Sequence, residues 1–161
     1  MTDNDLTFPI LGFDMQGRID GFRNRGEFTL CGSIGMNRNS HAGMTIFDAS
    51  GRTFIVDKVR DLGIIDAGFR KLIRILLRYH VHRIAHDLTE APPIPLAHLK
   101  ERVCQSIASH PDDWRDDEAI VGESGPPIEE SVLLEALQNK VRSCISTSEL
   151  VNLLELGGSS V

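Results

Sequence analysis

Residues 44–59 read MTIFDASGRTFIVDKV. Two runs rich in β-branched and aromatic residues, Met44–Asp48 and Arg52–Val59, flank the short turn Ala49-Ser50-Gly51. That pattern makes a β-hairpin, with Gly51 in the left-handed conformation that closes the turn. Upstream, Phe8–Phe13 (FPILGF) leads through the turn signal Asp14-Met-Gln-Gly17 into a second run, Arg18–Phe22. Beyond RNRG, the residues Phe28, Leu30, Gly32, Ile34 and Met36 put apolar or small groups at every second position, the period of a half-buried strand. Residues 1–60 therefore predict an antiparallel sheet of four to five strands with one face in need of cover.

Downstream the period changes. In DAGFRKLIRILLRYHVHRIAHDL (66–88), Phe69, Leu72, Ile73, Leu76 and Leu77 fall on one side of a helix, with Lys71, Arg74, Arg78 and His82 opposite. The expected helix, Ala67–His86, is the main cover for the sheet, and APPIP (91–95) stops it. Leu96, Leu99, Val103 and Ile107 form the stripe of a second helix ending near His110-Pro111. A third is expected over Glu129–Cys144, with Val132, Leu133, Ala136, Leu137 and Val141 inward. Ser146-Thr-Ser-Glu149 is a capping box opening a last helix, Thr147–Leu156, before Gly157-Gly158. The order of strands followed by helices indicates an α+β fold: one domain over 1–161, with a β-sheet part at 1–60 and a helical part at 66–157.

A chain of 161 residues with 41% hydrophobic side chains can build a core. Its longest apolar runs are interrupted by Arg and His, so no membrane span is expected. The start, MTDNDLTFP, lacks the basic and apolar regions of a secretory signal. Cys31, Cys104 and Cys144 are odd in number and far apart, which suits reduced thiols in the cytoplasm rather than a disulfide framework.

The net charge of −6 is unevenly placed. Residues 1–60 are neutral, residues 61–111 carry +2, and residues 112–161 carry −8, with three basic and eleven acidic side chains. Phosphates would be repelled from that last third, so nucleic acid is not expected as a partner, whereas a basic protein is.

Five groups of side chains are candidates for chemistry. His82 and His86 at i, i+4 on a helix can hold a metal, but Arg83 stands where a zincin has its glutamate, and neither metal nor cofactor is expected. His80, Arg83, His86 and Asp87 lie near the core-facing arc of that helix. They mark either a helix end beyond the sheet, with Arg83 and Asp87 paired, or a polar pocket of a small enzyme. Arg70, Arg74 and Arg78 form a basic ridge, read as solvated or paired with the acidic third rather than as a phosphate site. Gly32-Ser-Ile-Gly35 lacks the lysine and following helix of a phosphate loop. Neither Ser33 nor Cys31 has a histidine and acid at family-like positions, so no catalytic residue is assigned.

The stretch His110–Glu118, HPDDWRDDE, crowds carboxylates around the only tryptophan. Asp112 or Asp113 can cap a short helical turn that plugs Trp114 into the core. Alternatively Trp114 is a partly exposed anchor and the carboxylates steer a basic partner. The binding surface then comprises Asp112, Asp113, Trp114, Asp116, Asp117 and Glu118, extended by Glu123, Glu129 and Glu130.

TIFDASGRTFIVDKV, LKERVCQSIASHPDDW and STSELVNLL together resemble, over roughly residues 44–156, the immunity proteins that protect bacteria from polymorphic or contact-delivered toxins. The resemblance implies a cytoplasmic, non-catalytic protein that occludes a cognate toxin, and it assigns no residue. The alternatives are a small enzyme at the His80/Arg83/His86/Asp87 cluster and an acidic chaperone for a secreted protein.

Overall fold

The computed structural model describes residues 1–65, 80–114 and 130–155. Six strands form one sheet: β1 (Ile10–Phe13), β2 (Ile19–Phe22), β3 (Leu30–Gly32), β4 (Thr45–Asp48), β5 (Thr53–Ile64) and β6 (Val81–Ala91). Their order is β2-β1-β4-β5-β6-β3, and every neighbouring pair is antiparallel. The α+β class stands, with a sheet larger than the four to five strands expected.

The hairpin at 44–59 forms as its sequence dictates. Thr45 pairs with Ile55 and Phe47 with Thr53, and Gly51 turns the chain at φ +86°. Asp48 organises this turn. Its fully buried carboxylate accepts from the N–H groups of Thr7, Ser50 and Arg52, and from the Ser50 hydroxyl at 2.6 Å. Burial raises the pKa of this acid, yet the hydrogen bonds from Ser50, Arg52 and Thr7 outweigh burial and hold it below the usual carboxylate value.

Two expected elements differ. Residues 28–36 are not one strand: short helices α1 (Arg25–Phe28) and α2 (Ser33–Arg38) enclose the three-residue β3. A helix therefore does follow Gly32, though without a phosphate-loop lysine. The larger correction is at 81–86, where β6 replaces the end of the expected helix. Ile84, His86 and Leu88 point inward, whereas Arg83 and Thr89 face solvent. Pairing with β5 along almost its whole length overrides local helix propensity, because each cross-strand pair adds contacts that an isolated helix end lacks. Residues 66–79, which carry the rest of that expected helix and the Arg70/Arg74/Arg78 ridge, lie outside the described residues.

The sheet is strongly curled. In a flat sheet β2 and β6 would stand roughly 19 Å apart. Here Phe22 of β2 meets Phe28 of α1 with ring centroids at 5.1 Å, and Phe28 stacks on His86 of β6 at 3.9 Å. Helix α1 links β2 and β3, the two edge strands, and plugs the concave side. Ile10, Met44, Ile46, Phe54, Val56 and Leu88 complete this inner core.

The convex side of β1, β2 and β4 carries α3 (Leu96–Ser109), α4 (Glu130–Ser143) and α5 (Thr147–Glu155). Helix α5 lies on those strands, and α4 packs on α3. These three helices, rather than Ala67–His86, supply the cover among the described residues. Leu99, Val103 and Ile107 of α3 are buried as their spacing requires. On α4, Leu137 and Val141 are buried, whereas Val132 is 52% exposed. The capping box is present in a shifted form: the Glu149 N–H donates to Ser146 Oγ, and the Glu149 carboxylate accepts from the Ile145 N–H. Among the described residues no helix is long and apolar enough to cross a membrane.

Candidate functional site

The stretch HPDDW settles against the convex core. Pro111–Trp114 forms a 3-10 turn directly after α3, and Trp114 is only 7% exposed, in one cluster with Val103, Ile107 and Leu137. The tryptophan is a core plug, the first of the two readings its sequence allowed, rather than a partly exposed anchor. Asp112 and Asp113 stay exposed on the same turn. Of the other expected residues, Asp116, Asp117, Glu118, Glu123 and Glu129 lie outside the described residues. Glu130 begins α4.

Tertiary structure adds carboxylates that sequence reasoning did not associate with this stretch. Asp113 reaches the β1–β2 turn, where it lies 3.6 Å from Arg18. Asp14 and Asp20 are part of the same neighbourhood. Desolvation by the surrounding chain, then the like charges of Asp14 and Asp113, raise the Asp20 carboxyl; Arg18 offsets them only in part. Acidic groups from two distant segments thus converge on one surface.

The His80/Arg83/His86/Asp87 cluster does not assemble. On a strand, residues four apart are separated by about 13 Å, so neither the Arg83–Asp87 pair nor the His82–His86 pair expected of a helix can form. Asp87 instead pairs with Arg60 across the sheet at 2.8 Å, and His82 with Asp61 at 3.0 Å. His80 exchanges hydrogen bonds with Ser33: its N–H donates to Ser33 Oγ, and its carbonyl accepts from that hydroxyl.

His86 belongs to a different constellation. Its Nδ1 lies 2.8 Å from Asp3 Oδ1 and its Nε2 lies 3.0 Å from His41 Nδ1. All three residues are buried, with His86 at 0% exposure. A carboxylate only accepts, so His86 carries a proton on Nδ1; which imidazole donates between its Nε2 and His41 Nδ1 depends on their tautomers. Phe28 stacks on His86, and the two imidazoles lie nearly parallel at 9°. Burial, reinforced by the neighbouring His86 and opposed by Asp3, lowers His41 to about 4.

The relay also anchors the chain's first residues. Asp3 Oδ2 accepts from the His86 N–H, and the backbones of Met1 and Leu88 hydrogen-bond to one another. The outer edge of β6 is thereby capped instead of being left open for another strand. His41 borders a cleft with about 160 Å³ of empty space, shared with Cys31 and Ser40. Burial raises the Cys31 thiol despite its hydrogen bond with Ser40, so this sulfur is held protonated and weakly nucleophilic. A protonated thiol beside a neutral histidine in so small a space makes a structural latch. Sequence reasoning missed it because Asp3, His41 and His86 come from three distant segments. The alternation of Ile84, His86 and Leu88, read two by two, was the only signal.

The cysteines are all free, with Cys31 and Cys144 buried. Among the described residues no group of three or more His, Cys, Asp or Glu could hold a metal ion. No family model matches the chain, and no curated protein or solved structure is similar to it.

Proposed function

We propose that this chain is an immunity protein: a cytoplasmic, non-catalytic binder that neutralises a cognate basic toxin through an acidic surface. The observation that carries the reading is the convergence of carboxylates around the 3-10 turn. Asp112 and Asp113 stand exposed beside a buried Trp114, and Asp113, next to Arg18 of the β1–β2 turn, acts with Asp14 on Asp20 as a like charge. Residues 112–161, which include this turn, carry a net charge of −8 in the sequence. Such a surface accelerates encounter with a basic partner and suppresses like-charged ones, while the core beneath holds its shape.

Because Trp114 is buried, the partner does not use it as an anchor. The docking patch reduces to its charges, Asp112, Asp113, Asp116, Asp117, Glu118, Glu123, Glu129 and Glu130, joined by Asp14 and Asp20. Protection is the test. Cells producing the toxin domain encoded beside this gene should grow only when the chain is co-produced. Replacing Asp112, Asp113, Asp116 and Asp117 by Asn should slow association at low salt by about tenfold or more and flatten its salt dependence. An unchanged association rate would remove the steering account, and no protection against any neighbouring secreted protein would remove the immunity reading.

A further inference from the structure

A second cleft, of about 180 Å³, opens between the β1–β2 turn and the C-terminal half of α3, bordered by Phe13, Gln16, Arg102, Gln105, Ser106 and His110. A single water needs about 10–15 Å³, so the space admits a small molecule. Arg102, Ser106 and His110 stand four residues apart along α3 and its C-cap, a spacing that sets them along one stripe. The Arg102 guanidinium lies over the Phe13 ring, 4.7 Å from its centroid, and 5.8 Å from that of Phe47. Among the described residues it has neither a hydrogen-bond acceptor nor a carboxylate partner. Stacking of this kind holds the planar fork in place and leaves its N–H donors for something else. Ser106 is 4% exposed, and its Oγ has no hydrogen-bond partner; neither has the buried His110 Nδ1. Buried polar atoms without partners are uncommon in folded proteins and call for an explanation.

The chemistry of these groups is one-sided. A guanidinium only donates, a serine hydroxyl and the Gln16 and Gln105 amides can donate, and an imidazole nitrogen donates when it carries the proton. Among the described residues no acidic side chain borders the cleft. Two carboxylates of the neighbouring turns are engaged elsewhere: Asp14 accepts from the N–H groups of Gln16 and Arg18, and Asp113 stands 3.6 Å from Arg18. Donors gathered around one unpaired cation take an anion. Its charge follows from the local balance. The last turn of α3 brings about half a negative charge to the same place, against the full positive charge of Arg102. What remains suits a single negative charge, whereas a dianion would be repelled twice as strongly by that helix end and by the acidic turn. A flat carboxylate matches the guanidinium fork with two parallel hydrogen bonds.

We propose that this cleft binds a small monocarboxylate, its oxygens paired with the Arg102 fork and hydrogen-bonded by Ser106 Oγ and His110 Nδ1. The site is independent of the immunity reading, which rests on the outward carboxylates of the 3-10 turn.

The experiment is an NMR titration of the full chain with sodium acetate and sodium lactate to about 50 mM, at ionic strength held constant with sodium chloride. Saturable shifts are expected at the amides of Gln105, Ser106, Ser109 and His110, with half-saturation at about 1–10 mM, the affinity of one charge-assisted pair in an open cleft. Acetamide, similar in shape but uncharged, should give no saturable shift, and sulfate should bind no more tightly than acetate. Arg102→Gln should remove binding, and Arg102→Lys should restore only part of it because the planar fork is lost. If Arg102→Gln fails to fold, Ser106→Ala carries the test. It removes a buried hydroxyl that has no partner in the free chain, so the melting temperature should hold or rise while acetate binds about three- to tenfold more weakly. Absence of saturable shifts with both acids overturns the proposal. So do equal shifts with acetamide, tighter binding of sulfate than of acetate, or unchanged acetate binding in either Arg102→Gln or Ser106→Ala.

Discussion

Acidification should unfold this protein through His41, over a pH range that the buried relay defines. In the unfolded chain the imidazole titrates near 6.5, and in the folded chain at about 4. Between those values the unfolded state binds more protons than the native one, so stability falls as pH falls. At about 1.4 kcal/mol per pH unit, the full displacement is worth about 3 kcal/mol. Linkage puts about 2 kcal/mol of the loss between pH 7 and pH 5 and nearly all of it above pH 4. That is a large part of the 5–15 kcal/mol typical of a domain. The assay is urea unfolding at pH 7, 6, 5 and 4, for the native chain and for His41→Asn. An asparagine amide can stand near the position of Nδ1 and hydrogen-bond to His86 as donor or acceptor, but it does not titrate. The variant will be less stable at every pH because the ring packed near Phe22 and Phe28 is gone. Its stability should nevertheless decline less steeply than that of the native chain over pH 7–5. Asp48, with its lowered pKa, contributes a loss of its own only at lower pH, as its carboxyl begins to protonate. Parallel stability curves for the two proteins from pH 7 to pH 5 would refute the reasoning.

Three further outcomes can be checked on single variants. Trp114→Ala should cost on the order of 3–5 kcal/mol in chemical denaturation, as removal of a large core side chain does, and should leave the association rate with a basic partner unchanged. Asp48→Asn replaces a buried acceptor of at least four hydrogen bonds with an amide that can satisfy only part of them; a loss of about 2–4 kcal/mol is expected, read by thermal melting. Gly12→Ala would set its Cβ 2.3 Å from the fully buried Met44 Sδ. Met44 must change rotamer, and a loss of about 1–3 kcal/mol should appear in urea unfolding.

The legible parts of this protein are those whose cause is local. The hairpin at 44–59 followed from two β-rich runs and one glycine, the burial of Leu99, Val103 and Ile107 from their spacing, and the start of α5 from Ser146 and Glu149. In each case the deciding contacts lie within a few residues of one another, so the pattern alone contains them. The stretch 81–86 was different. Its Arg, Ala and His residues tolerate a helix, and only the long partner strand β5 makes the extended form preferable. Trp114 among carboxylates was equally ambiguous, because exposure depends on whether a hydrophobic cluster from α3 and α4 waits beside it. The buried chain of Asp3, His86 and His41 lay furthest from view: the curl of the sheet joins residues 83 and 45 positions apart. No spacing rule reports such a meeting, since the free energy that forms it comes from closing the concave core over Phe28.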